Sequence, residues 1–126
     1  MKLTDNFWLD EFNCNDGTPV PESMIGNISE LADNLQKLRD YIQRPITITS
    51  AYRTPEYNRS IGGVEFSRHT MALAADLKVS GVSPRQLADA IEYLISEGIM
   101  KQGGLGRYKT FTHYDIRGTR ARWGKN

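Results

Sequence analysis

Two histidines, each followed closely by an aspartate, are the residues of this sequence best suited to chemistry. Asp76 follows His69 by seven residues, and Asp115 follows His113 by two. Two neutral imidazoles and one carboxylate form a set that suits Zn2+ and leaves a fourth position for a water molecule. We therefore predict that His69, Asp76 and His113 bind zinc, with Asp115 as the general base or as the residue that orients the water. A hydrogen-bonded histidine without a metal is the alternative that spacing alone leaves open.

Two predicted strands bring these residues together. The alternation over Ala75–Val79 indicates a strand, and the seven residues after His69 allow a loop or helical turn to lead into it, so that Asp76 points back at His69. A strand over residues 111–116 has a period of two, so His113 and Asp115 share one face. Phe111 joins that face, whereas Tyr114 and Ile116 lie on the other. If the two strands are neighbours, His113 stands beside Asp76.

The remaining elements predict a small α+β protein. An apolar stripe from Pro21 to Gln43 is typical of an amphipathic helix, and a second helix is expected from its N-cap at Ser83 and Pro84 to a stop at Gly98. Further strands are expected at 46–49 and 105–108. Because no β-α-β unit repeats, we predict one domain over residues 1–126, with a mostly antiparallel sheet and flanking helices.

Composition excludes several classes of protein. The 126 residues are 39% hydrophobic and 25% charged, which is typical of a folded protein rather than a disordered one. No apolar run is long enough to cross a bilayer, and the first residues lack a secretory signal, so we expect synthesis in the cytoplasm without membrane insertion. Cys14 is the single cysteine, which rules out an internal disulfide and a thiolate zinc cluster. We expect a monomer.

Charge is uneven along the chain. Residues 1–40 carry 3 basic and 8 acidic side chains, whereas residues 107–126 carry 6 basic and 1 acidic. The basic end is suited to an anionic polymer such as nucleic acid or a bacterial wall, or to pairing with the acidic part of the same fold. A nucleic-acid binder would leave the histidines and aspartates unexplained, so we expect no nucleic-acid partner.

The motifs resemble those of the zinc D-Ala-D-Ala carboxypeptidase family, whose superfamily also contains lysostaphin-type peptidases and the hedgehog signalling domain. The metal motif Ser-x-His-x-x-Gly-x-Ala-x-Asp is matched at Ser67, His69, Ala74 and Asp76, and Ala72 stands where the family usually has Gly. Segments 48–58 and 117–123 add to the resemblance, which runs from about residue 7 to residue 123.

The resemblance implies a hedgehog/D-Ala-D-Ala peptidase-like fold with Zn2+ held by His69, Asp76 and His113. It implies hydrolysis of peptide bonds in peptidoglycan stem peptides, as a carboxypeptidase or an endopeptidase. Many relatives are phage endolysins, so we expect action on the cell wall after lysis or phage-mediated release. A zinc-stabilised binding module of the same fold, without turnover, is the alternative.

The resemblance also implies roles for further residues. Some relatives place a catalytic carboxylate three residues before the last histidine, where this chain has Thr110. Asp115, in a His-x-Asp arrangement that resembles another branch of the family, is therefore assigned as the base. The alternative is that Asp115 holds the metal site in place. Arg53, in Ser-x-Tyr-Arg-Thr-Pro, is expected to bind the substrate carboxylate or the oxyanion, unless it forms a structural ion pair. Ser67 is expected to contact substrate or to cap a turn, and Tyr108 to line the cleft.

Overall fold

Helices and a mixed sheet build the protein, and the predicted α+β class is confirmed. The computed structural model describes residues 1–124. The α-helices are α1 (Ile25–Ile42), α2 (Pro55–Ser60) and α3 (Pro84–Ser96). The strands are β1 (Lys2–Thr4), β2 (Phe7–Trp8), β3 (Thr47–Ser50), β4 (Ala74–Lys78), β5 (Gly104–Arg107), β6 (Thr112–Asp115) and β7 (Ala121–Gly124). The first two strands form a hairpin, and the other five form a sheet in the order β3-β4-β6-β5-β7.

The register of the five-stranded sheet sets one row of residues side by side. Strands β4 and β6 are antiparallel and pair Asp76 with His113, as the sequence predicts. Strand β5 pairs Gly106 with His113 on the other side of β6, and the parallel strand β7 pairs Trp123 with Gly106. Because directly paired residues share a face of a sheet, the side chains of this row project to the same side.

The opposite face of the sheet is covered by the hydrophobic core. Tyr114, which follows His113, is fully buried there and donates its hydroxyl to the carbonyl of Lys101 at 2.7 Å. The predicted stripe of α1 supplies fully buried residues to this core, among them Ile28, Leu31, Leu35 and Leu38. Strand β6 therefore separates a packed core from a polar face. None of the helices described is long and apolar enough to cross a membrane.

Both long helices lie close to their predicted positions. Helix α1 starts at Ile25 rather than Pro21, because Glu22–Met24 form a 3-10 turn first. Helix α3 starts as predicted, because two hydrogen bonds cap its first turn. The hydroxyl of Ser83 accepts a hydrogen bond from the backbone amide of Gln86, and the side-chain oxygen of Gln86 accepts one from the backbone amide of Ser83. The hairpin β1–β2 and strand β7 were not predicted, because both are short and depend on pairing with distant segments.

A short turn delivers His69 to the end of β4. A 3-10 helix over Arg68–Met71 begins at Ser67, whose hydroxyl accepts the amide of His69 at 3.2 Å. The turn ends at Ala72, with φ of 59°, in the left-handed region that favours glycine. Glycine adopts this conformation most readily, and in this chain Ala72 adopts it. The chain then enters β4, which carries Asp76 back towards His69.

Candidate metal centre

Three buried side chains converge at the row formed by β4 and β6. Nε2 of His69 and Nδ1 of His113 each lie 3.2 Å from Oδ1 of Asp76. The ligand atoms that the three residues offer all lie within 4.8 Å of one another. In a tetrahedral zinc site, ligands about 2.0–2.2 Å from the ion stand about 3.3 Å or a little more from one another. The arrangement therefore has the size of a metal site.

Hydrogen bonds fix which nitrogen of each histidine faces Asp76. Nδ1 of His69 lies 2.7 Å from the carbonyl oxygen of Ala51, which can only accept, so that nitrogen carries the proton. Nε2 of His113 lies 2.7 Å from Oδ2 of Asp115. Because this carboxylate accepts a hydrogen bond, Nε2 is the nitrogen of His113 that carries the proton. The nitrogens on the side of Asp76 are therefore Nε2 of His69 and Nδ1 of His113. Each can donate to Asp76 when its ring is protonated. In the neutral ring each carries a lone pair, so that together with Oδ1 of Asp76 the two nitrogens form a donor set that fits a metal ion.

The carboxylate of Asp76 is held in its ionised form. Burial alone would raise its pKa, but hydrogen bonds and charge from His113 and His69 outweigh burial and bring the pKa well below its usual range. Its second oxygen, Oδ2, accepts a hydrogen bond from Nη2 of Arg53 at 3.2 Å. One oxygen is therefore left to face the metal position while the other is anchored by a guanidinium.

Asp115 lies behind His113 with no exposed surface. Its Oδ1 accepts from the amide of Gly104 and from Nε of Arg117, each at 2.9 Å, and its Oδ2 accepts from Nη2 of Arg117 at 2.8 Å. Burial would raise its pKa, but the bonds from His113 and Arg117 bring the pKa well below the usual range. The same contact has the opposite effect on His113: burial would lower the pKa of its ring, but the bond to Asp115 brings it above its usual value.

A cleft of about 700 Å³ opens over these residues. His69, Asp76 and His113 line it, and so do the predicted residues Arg53, Ser67 and Tyr108. The other lining residues are Ile61, Gly62, Gly63, Val64, Glu65, Phe66, Arg68, Phe111, Arg117 and Trp123. The cleft is large enough for part of a peptide chain, since small-molecule sites occupy roughly 300–1,000 Å³.

A model of a known protein family, described as Peptidase M15, matches residues 5–115. The chain belongs to the Peptidase M15 family. Among curated proteins, none matches the chain significantly. Membership confirms the resemblance drawn from the motifs and identifies a metallopeptidase. Since M15 peptidases depend on a metal, the group formed by His69, Asp76 and His113 is the place in this member where one can bind.

The predicted roles of individual residues in this M15 member stay predictions, and their contacts differ. Arg53 donates to Asp76 and also to Ser50 and Asn58, so it forms the structural ion pair and lines the cleft as well. Ser67 caps the turn before His69 and lines the cleft. Thr110, at the position of the relatives' carboxylate, lies in a separate surface depression with Val79 and Pro84.

Sequence reasoning missed one whole wall of the cleft. The loop over residues 61–66 carries Val64 and Phe66, which are 75% and 79% exposed beside the metal centre, and the sequence analysis assigned them no role. Phe66 has φ of 58°, a conformation that is rare for a bulky side chain. Phe66 is therefore an exposed aromatic residue at the rim of the cleft.

The sequence analysis also did not predict that Trp123, which it expected at the edge of the core, contacts His113. Its ring lies against that of His113, with centroids 4.9 Å apart, and its Nε1 donates to the hydroxyl of Tyr108 at 2.8 Å. The indole reaches His113 by lying across Gly106, the residue between them in the sheet. A glycine inside a strand marks such a close approach, so Gly106 was the available signal.

Replacing Gly106 by Ala should destabilise the protein. The new Cβ would collide with the indole nitrogen of Trp123, so the ring must shift from its place beside His113. We expect the free energy of unfolding to fall by about 1–3 kcal/mol, the usual cost of overpacking, as measured by urea denaturation. Gly26→Ala is the matched control, because a Cβ there meets nothing within 4 Å and Gly26 lies in α1. A Gly106→Ala protein as stable as the unmodified one would contradict the packing of Trp123 described here.

Proposed function

We propose that this protein is a zinc-dependent peptidase that hydrolyses peptide bonds in the stem peptides of bacterial peptidoglycan. One observation carries the proposal: in a chain of the Peptidase M15 family, two histidines and an aspartate converge at the floor of a cleft of peptide size. The proposal covers carboxypeptidase and endopeptidase activity alike. Action on the wall after lysis or phage-mediated release stays a prediction.

Zinc is the metal that the donor set favours. Two imidazole nitrogens and one carboxylate oxygen are three protein ligands of the kind found in catalytic zinc sites, which keep one further position open. A bound zinc ion lowers the pKa of a coordinated water and polarises a substrate carbonyl. The chain supports this chemistry by holding both rings in the required tautomer, through the carbonyl of Ala51 and the carboxylate of Asp115.

Arg53 is suited to stabilising the oxygen that becomes negative during hydrolysis. A guanidinium offers five N–H groups. Arg53 uses Nε on Ser50, one donor of Nη1 on Asn58 and one of Nη2 on Asp76, so each terminal nitrogen keeps a second N–H. These bonds fix the plane of the guanidinium beside the metal position. A fixed donor needs no reorganisation as charge develops, which is the source of most electrostatic catalysis.

For Asp115 we favour the positioning role over that of the base. A general base must reach the proton it removes, directly or through one water. Asp115 has no exposed surface, and both of its oxygens accept hydrogen bonds from His113, Arg117 and Gly104. Its lowered pKa also makes it a poor proton acceptor at neutral pH. Its contact with Nε2 of His113 is the type that orients a metal-ligating histidine.

Purified peptidoglycan should yield new amino groups when the protein is supplied with zinc. We expect this release to stop with a chelator, which removes the ion, and with His113→Ala, which removes one of its ligands. Mass spectrometry of the products would identify the bond and distinguish a carboxypeptidase from an endopeptidase. If zinc binds stoichiometrically but no wall type releases amino groups, the proposal fails and the non-catalytic binding module is the better account.

The variant Asp115→Asn separates positioning from base catalysis. As a positioning residue, Asp115 should affect metal binding, so we expect zinc affinity to fall by about 10- to 100-fold in a chelator competition assay. Activity should then return to within several-fold of normal when zinc is saturating. A base would give the reverse result: unchanged zinc affinity and a loss of about 100- to 10,000-fold in kcat at saturating zinc. Glu92→Gln is the matched control, since Glu92 also accepts bonds from an arginine but lies outside the cleft.

A further inference from the structure

Three arginines line the cleft, and two of them have their charge balanced. Arg53 forms an ion pair with Asp76, at 3.2 Å between Nη2 and Oδ2. Arg117 donates two parallel hydrogen bonds to Asp115, and its guanidinium also lies over the ring of Trp123 at 5.3 Å. The charges of Arg53 and Arg117 are therefore each balanced by a carboxylate of the protein.

Arg68 is the third, and its guanidinium differs from the other two. It is partly buried and lines the cleft one residue before His69. Within residues 1–124, its side chain has no hydrogen bond, ion pair or ring contact with any other residue. Glu65 lines the same cleft and forms no ion pair with it among these residues.

The backbone of Arg68 is fixed although its side chain is not. The amide of Leu73 donates to the carbonyl of Arg68 at 3.1 Å, and the amide of Arg53 donates to the carbonyl of His69 at 3.1 Å. The turn that carries Arg68 is thereby tied to the metal ligand and to the segment of Arg53. The backbone therefore places the start of the Arg68 side chain beside the metal centre, and no residue within 1–124 accepts a hydrogen bond from its guanidinium.

A partly buried cation without a counter-ion is costly unless a ligand supplies the charge. We propose that Arg68 binds a carboxylate of the substrate close to the bond that is cut; this rests on the proposed function. The carboxylate is either the α-carboxylate at the end of the peptide or an acidic side chain next to the scissile bond. A guanidinium suits both, because its fork matches the two oxygens of a carboxylate.

This assignment divides the work between two arginines. Arg53 is neutralised by Asp76 and offers N–H donors without net charge, which suits a carbonyl oxygen. Arg68 offers donors together with an uncompensated positive charge, which suits an anion. The carboxylate-binding role that the resemblance implies for Arg53 therefore passes to Arg68 in this chain.

The test compares peptides that differ only in charge. One pair ends in a free carboxylate or an amide, and a second pair carries an acidic side chain or its amide next to the scissile bond. With Arg68→Gln, we expect kcat/KM to fall by about 10- to 100-fold for the charged member of one pair and to stay within about twofold for its amide. The pair that responds identifies the source of the carboxylate. Arg68→Lys, which keeps the charge but not the fork, should retain part of the selectivity.

Arg85→Gln is the control for a general loss of positive charge, because Arg85 is exposed on α3 and does not line the cleft. Equal effects of Arg68→Gln on charged and amidated peptides, or no effect on either, would overturn the proposal. Calorimetric binding of the same peptides keeps the test independent of turnover. If the unmodified protein cleaves none of them, the proposed function fails, while charge-selective binding that depends on Arg68 would still support the assignment.

Discussion

The pairing of β4 with β6 is the constraint on which the rest of the structure depends. It sets Asp76 directly beside His113, and a shift of one residue would turn His113 into the core and Tyr114 towards the cleft. The apolar face of β6 resists such a shift, because Tyr114 is fully buried and bonded to the carbonyl of Lys101. The packing of the core thereby fixes the position of a metal ligand on the other face of the same strand.

Around this pair, the protein balances its buried charges locally. Asp76 faces Arg53, and Asp115 faces Arg117 and His113, so both carboxylates stay ionised although they are buried. Removing one member of a buried ion pair leaves the other unpaired, which makes such pairs rigid parts of the site. The two aspartates nevertheless differ. Asp76 keeps one oxygen facing the rings of both histidines, whereas Asp115 has both oxygens occupied behind the site. This difference favours a ligand in the first case and a positioning residue in the second.

Much of the centre could be predicted from the sequence, because its spacing has a simple geometric meaning. A period of two put His113 and Asp115 on one face, and the structure joins them by a bond of 2.7 Å. The same period of two extends to Arg117, two residues further on, which donates to Asp115. Trp123 could not be placed, because its position depends on β7 pairing in parallel with β5, and nothing local in residues 121–124 indicates that pairing. The loop over residues 61–66 was also beyond reach, since its place at the cleft follows from the turn that holds His69 and not from its own composition.

The central claim is that His69, Asp76 and His113 bind one metal ion through defined atoms. Crystals grown with zinc and measured on either side of the zinc absorption edge test it directly, because the anomalous difference locates the ion without reference to the protein. We expect a single peak about 2.0–2.2 Å from Nε2 of His69, Oδ1 of Asp76 and Nδ1 of His113, with Asp115 still bonded to Nε2 of His113. A peak on Asp115, on the opposite ring nitrogens or at no place in the cleft would contradict the account.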